Sequence, residues 1–161
     1  MDYKDKLLKY AVYYLSKYSS SKKNLEYILK KKIRRLTEEK KIRYELYKEI
    51  DNITHKLEQQ KLLDDILFID SKINYLLIQA KSKNYIKQYL IQKGVENKLA
   101  DQQISTFYKN NINLEKDNAL KFAKKKNLFN DNKDYEKKLA KMARAGFSYE
   151  IAKEVLKQSK F

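Results

Sequence analysis

A chain of 161 residues with no proline and only two glycines, Gly94 and Gly146, has almost nothing from which to build tight β-turns. Hairpin turns need residues that accept a left-handed backbone or pre-set a bend, and glycine and proline are the usual suppliers. A sheet protein with many hairpins is therefore very hard to build from this alphabet. What remains are long runs of Lys, Glu, Leu, Ile and Tyr, with hydrophobic residues at 42% and charged residues at 36%. That is apolar enough for a core, and such runs favour helices. The chain is predicted to be all-α.

Helical spacing recurs along nearly the whole sequence. Leu7, Leu8, Ala11, Val12, Leu15 and Tyr18 form one apolar stripe over a helix at about 5–17. Ser19-Ser20-Ser21 interrupts it, and serine is a favoured N-cap because its oxygen accepts from the next helix's unpaired amides. Leu25, Ile28, Leu29 and Ile33 outline a second helix, and Ile42, Leu46, Ile50, Ile53 and Leu57 a long third one within 37–60. Thr37 and Lys40 make no capping box. Asp64 or Asp65 caps the next helix, which carries Phe68, Ile69, Ile73, Leu76, Leu77 and Ala80; Ile86, Leu90 and Ile91 follow and stop at Lys93-Gly94. Val95, Leu99, Ile104 and Phe107 outline a sixth helix. Three more are expected over 114–126, 131–145 and 148–157, with Gly146 closing the second of them.

The apolar offsets after Ser21, Ser82 and Ser148 are alike, +4, +7 and +8 in each case to an apolar or aromatic residue. This suggests three tandem three-helix repeats forming an elongated, curved helical array. The expected boundaries are 1–60 (with the long third helix), 61–112 and 113–161. Small three-helix units are marginal alone, and stacking shields their faces. A plain helical bundle with coincident serine caps is the simpler alternative.

The formal net charge is +16, from 37 basic and 21 acidic residues, and both ends are more basic than the middle. Such an excess draws in polyanions or acidic protein surfaces. Only Arg34, Arg35, Arg43 and Arg144 are arginine, so an AT-rich genome that favours lysine codons is a competing account of the excess. Cysteine is absent, which excludes disulfides and cysteine-based zinc or nucleophile chemistry. His55, the single histidine, has no second histidine or cysteine to share a metal, and Asp64-Asp65 reads as capping rather than as an acid–base pair. No catalytic residue, metal or cofactor is assigned. The longest purely apolar runs, 66–69 and 75–78, fall far short of the roughly 20 residues of a membrane span, and no signal core opens the chain. A soluble, cytoplasmic protein without membrane contact is expected. Most of the fourteen tyrosines fall at apolar helical positions, so packing is expected for them rather than base stacking.

The segment Leu139-Ala140-Lys141-Met142-Ala143-Arg144-Ala145-Gly146-Phe147-Ser148-Tyr149-Glu150-Ile151-Ala152 resembles the closing helical motif of the RecX family: an arginine, a small residue, Gly-Phe-Ser, then an amphipathic helix. Tyr10-Ala11 through Leu15, with Ser20 or Ser21 and Leu25, is similar to the family's first repeat. Leu63-Asp64-Asp65 with Phe68 resembles the opening of its second, and Ile86, Leu90 and Lys93-Gly94-Val95 that repeat's second helix. The chain departs from the pattern where the family usually has a glycine and an aromatic before Leu-Asp-Asp, since Lys61 and Leu62 stand there. It departs again at Lys81-Ser82-Lys83-Asn84, where a glycine is often found, and in using lysine for most arginines, which removes the bidentate fork.

The resemblance implies a non-catalytic regulator that binds the RecA recombinase filament and limits its extension, ATPase and strand exchange. It also implies possible contact with single- or double-stranded DNA and action as a monomer. Candidate contacts with nucleic acid or the RecA filament are Lys30, Lys31, Lys32, Arg34 and Arg35; Lys121, Lys124, Lys125 and Lys126; and Lys141 with Arg144. For the first cluster a solvated helix end accounts equally well, and for Arg144 a structural salt bridge does. The alternative function is an independent nucleic-acid-binding helical protein, for which the charge alone speaks.

Overall fold

The computed structural model describes residues 2–130 and 134–158. Among these residues there are nine helices and no strand: α1 (Tyr3–Lys17), α2 (Lys22–Leu36), α3 (Lys40–Gln59), α4 (Asp65–Ile78), α5 (Lys83–Gln92), α6 (Asn97–Lys109), α7 (Leu114–Lys125), α8 (Tyr135–Arg144) and α9 (Tyr149–Lys157). The all-α expectation holds. The start expected at Asp131 lies outside the described residues; in the described part, Asp134 caps α8 by accepting the Glu136 amide at 3.1 Å. No helix is long and apolar enough to cross a membrane among the described residues.

The described chain forms two compact units, one reaching to Ile69 and including Lys93–Val95, the other made of Asp70–Gln92 and the residues from Glu96 onward. In the first, α1, α2 and α3 pack together around Leu7, Ala11, Leu25, Leu29, Ile33, Leu46, Ile50, Ile53 and Leu57. These are the i, i+3, i+4 positions of each helix, and full burial of one such side chain contributes roughly 1.5–3 kcal/mol. The stripe of α1 is narrower than its sequence suggests. Leu7 and Ala11 are buried, with Leu8, Tyr14 and Leu15 packed half-buried beside them, while Val12 and Tyr18 are exposed. In the second unit, α9 packs on both α7 and α8 around Ala119, Ala123, Met142, Phe147, Ala152, Val155 and Leu156, and α5 packs on α6.

Two serine hydroxyls each do two jobs. Ser21 Oγ accepts the Asn24 amide at 3.2 Å, capping α2, and donates to the Lys93 carbonyl. Beside it the Lys22 amide donates to Asp65 Oδ1 at 2.8 Å. In the second unit, Ser82 Oγ accepts the Tyr85 amide at 3.1 Å and donates to the Ala145 carbonyl at 2.7 Å. There the Lys83 amide donates to both Glu115 oxygens, at 3.2 and 3.0 Å. Each joint closes on a glycine. Gly94 has φ +82° and its missing Cβ would lie 2.7 Å from Lys23 Cβ; Gly146 has φ +93° and a Cβ there would collide with Ser82 Oγ. Ser148 shares only the capping half of this role. It caps α9 by accepting the Ile151 amide three residues on at 3.3 Å, as Ser21 and Ser82 accept Asn24 and Tyr85, but among the described residues its hydroxyl makes no long-range bond to a carbonyl.

Among the described residues, the other left-handed turns are made without glycine. Lys61, Ala80 and Asn127 have φ of 56°, 60° and 53°. Each closes its helix with the paired bonds of a Schellman motif: Leu62 N–H to Leu57 with Lys61 N–H to Glu58, Lys81 to Leu76 with Ala80 to Leu77, and Leu128 to Ala123 with Asn127 to Lys124. Lys61 and Ala80 stand at or beside the places where the family resemblance expects glycine. The turn is kept and the backbone takes the strain.

Ser82 is fully buried, so Ser82→Ala removes a cap and strands the Ala145 carbonyl. It is expected to lower unfolding free energy by about 2–3 kcal/mol in urea titrations. Loss below half of that would mean the joint is not structural. At exposed Lys61, glycine relieves the left-handed strain without losing packing, and Lys61→Gly is expected to gain about 1 kcal/mol by the same measurement.

Candidate nucleic-acid interface

The first basic cluster is the outer face of α2. Leu25, Leu29 and Ile33 turn inward, which forces the positions between them outward. Lys30, Lys31, Arg34 and Arg35 are exposed, whereas Lys32 is half-buried with its ammonium 4.6 Å from the Tyr10 ring centroid. Lys22, on the opposite flank, is held by Glu58 at 3.0 Å, and this carboxylate raises the lysine's pKa. The end of the helix is closed by Arg43, which donates to the Thr37 carbonyl at 2.7 Å and the Arg34 carbonyl at 3.1 Å. Cations there suit the negative end of the helix dipole.

The other clusters belong to the second unit. Lys121, Lys124 and Lys125 are exposed on α7, and Lys126 is its C-cap. Lys141 and Arg144 are exposed on α8, one turn apart, with Lys137 a further turn back. Packing of α7 and α8 onto α9 brings these two helices to one small bundle. Arg144 Nε donates to the Ala140 carbonyl at 3.2 Å rather than to a carboxylate. Among the described residues, Lys30, Lys31, Arg34, Arg35, Lys121, Lys124, Lys125, Lys141 and Arg144 join no ion pair. Their charge faces solvent.

No family model matches the sequence, and neither does any curated protein. Solved structures do match. A crystal structure of RecX from Lactobacillus salivarius superposes with a TM-score of 0.71 at 23% identity, covering 97% of this chain and 96% of the other. A crystal structure of a regulatory protein RecX gives 0.69 at 21% identity, covering 96% of this chain and 71% of that one. The chain has the RecX fold.

On this RecX fold the tyrosines follow the expectation of packing only in part: Tyr3, Tyr10, Tyr14 and Tyr47 pack half-buried against the first unit's core. None is buried, and Tyr13, Tyr18, Tyr27, Tyr44, Tyr75, Tyr85, Tyr135 and Tyr149 are exposed. Several carry a lysine over the ring instead, including Lys31 over Tyr27 at 4.4 Å and Lys48 over Tyr44 at 4.2 Å. The i, i+4 spacing of tyrosine and lysine, visible in the sequence, is the signal that marks these pairs.

The remaining polar groups have structural partners. His55 is exposed with Gln59 at 3.1 Å, and among the described residues no three His, Asp or Glu side chains gather as a metal would require. Asp64 caps α4, accepting the Ile66 and Leu67 amides at 2.8 and 3.2 Å, while Asp65 serves Lys22. An open cleft of about 330 Å³, which sequence reasoning missed, lies in the first unit between the α1–α2 connection and Leu62, Leu67 and Phe68. The most perturbed pair is Tyr108 and Glu115, whose hydroxyl and carboxylate meet at 3.1 Å. Burial pushes both pKa values up. For Glu115 this outweighs the opposing hydrogen bonds from the Lys83 amide and Tyr108 hydroxyl.

A carboxyl whose folded pKa lies above its unfolded value binds protons better when folded. Its contribution therefore favours folding at low pH and is lost as pH rises from 4.5 through the raised pKa. Replacing the titrating group, as in Glu115→Gln, is expected to give a denaturation midpoint that falls less with rising pH over that window than wild type's. Parallel pH profiles for the two proteins would refute the assignment.

Proposed function

We propose that this chain is a RecX-type regulator that binds the RecA–DNA filament and limits its extension, ATPase and strand exchange. The observation that carries the reading is the RecX fold, shared over nearly the full length of both chains in the Lactobacillus salivarius comparison. The Arg144 to Ser148 motif and the net charge of +16 support it. In this reading the chain is non-catalytic, works as a cytoplasmic monomer, and consists of three repeats spanning 1–60, 61–112 and 113–161. Lys30, Lys31, Lys32, Arg34, Arg35, Lys121, Lys124, Lys125, Lys126, Lys141 and Arg144 supply attraction to the filament's phosphates or to acidic recombinase surface. Phosphate contacts by such residues release counterions, so binding weakens steeply with salt. The lysines act as point charges, without the planar recognition that arginine would give.

The test is a titration into a RecA DNA-dependent ATPase assay at two salt concentrations. Inhibition at or below stoichiometric amounts, weaker at the higher salt, is expected. Replacing Lys30, Lys31, Arg34 and Arg35 together by alanine is expected to raise the inhibitory concentration about tenfold or more at low salt. Unchanged ATPase at moderate salt, together with tight binding of duplex DNA alone, would instead identify an independent nucleic-acid-binding protein.

A further inference from the structure

Every exposed residue of α2 is cationic except one. These residues are Lys23, Tyr27, Lys30, Lys31, Arg34 and Arg35. At about 100° per residue the first five fall within about 100° of the helix circumference, on a line about 16 Å long from Lys23 to Arg34. The helix's single carboxylate, Glu26, is half-buried at the edge of that face. None of the five cations joins an ion pair among the described residues. In the middle stands the Tyr27 ring, 55% exposed, with the Lys31 ammonium 4.4 Å from its centroid. Other exposed tyrosines beside a lysine stand in poorer company: Tyr85 on α5 lies under Lys81 at 4.4 Å on a helix without carboxylates, but that helix exposes one cation, Lys83, where α2 exposes five. Tyr44 on α3 is next to exposed Glu45, and Tyr149 on α9 shares its helix with exposed Glu150 and Glu154.

We propose that the outer face of α2 is a binding site for single-stranded nucleic acid, with a base stacked on Tyr27 and flanking phosphates on Lys23, Lys30, Lys31 and Arg34. Charge selects a polyanion, and the unburied aromatic at its centre selects one with open base faces. Duplex keeps those faces stacked on one another, whereas a single strand can splay a base onto a side-chain ring. At about 16 Å, the line of cations is long enough to meet several phosphates of one strand. An acidic peptide matches the charge but has no use for the ring. The site shares Lys30, Lys31 and Arg34 with the contacts proposed above and rests on that reading of the face as a phosphate-binding one, while the contact itself needs no recombinase.

The test contains no recombinase either. Fluorescence anisotropy of a labelled oligothymidylate of about 15 nucleotides, and of duplex of equal length, is read with wild type, Tyr27→Leu, Tyr44→Leu and Lys30→Ala/Arg34→Ala. Both tyrosines are exposed and leucine suits a helix, so circular dichroism is expected to show intact folds. Tyr27→Leu is expected to weaken single-strand binding roughly fivefold or more and leave duplex binding unchanged. Tyr44→Leu is expected to bind as wild type, and the double lysine–arginine variant to lower the log–log salt slope by about 1.4. Wild-type affinity in Tyr27→Leu, equal losses in both tyrosine variants, or competition by polyglutamate matching that of the oligonucleotide charge for charge would each overturn the proposal.

Discussion

The arrangement of each unit turns on one hydroxyl that caps its own helix while donating to a carbonyl far along the chain. Ser21 reaches the carbonyl of Lys93, and Ser82 that of Ala145, 63 positions on. A serine oxygen has one proton to give and lone pairs to receive, so a single buried atom satisfies an amide and a carbonyl that would otherwise be stranded. The neighbouring amide is then taken by a carboxylate from another helix, Asp65 in one case and Glu115 in the other. The two glycines of the chain stand at these places, where a left-handed backbone and a close approach coincide. Scarcity of glycine in the composition thus has a structural counterpart.

Much of the helical order was legible because burial follows helical periodicity. Leu46, Ile50, Ile53 and Leu57 are buried as their spacing implies, and Gly94 and Gly146 terminate helices as expected. Three terminations at Lys61, Ala80 and Asn127 carry no glycine, so their left-handed turns leave little local signal. Long-range partners were invisible for a different reason. The service of Glu115 to the Lys83 amide depends on how helices pack, and nothing in either neighbourhood encodes it. Asp64 and Asp65 show both cases side by side: capping was readable, but which of the two does it was not.

The candidate interface was legible as charge and illegible as surface. Counting lysines located the clusters, yet only packing separates Lys32, drawn over Tyr10, from Lys30 and Lys31, which face solvent. The tyrosines went the other way. Apolar spacing suggested packing, but in the first unit the buried strip is filled by Leu, Ile and Ala, leaving the rings at the rim or outside. Rings left in water beside lysines make α2 chemically unlike a merely solvated helix end.

The bond from Lys22 to Asp65 has a consequence for how the chain comes to order itself during synthesis. The front end of α2 finishes its hydrogen bonding with a carboxylate 43 positions later, and its serine waits for a carbonyl 72 positions from it. A ribosome that has released only the first three helices has therefore released a bundle with its hydrophobic centre available but one seam unsewn. Completion of that seam is tied to the emergence of α4 and then of the turn at Gly94. The first unit is in this sense finished by residues that the ribosome adds well after its three helices.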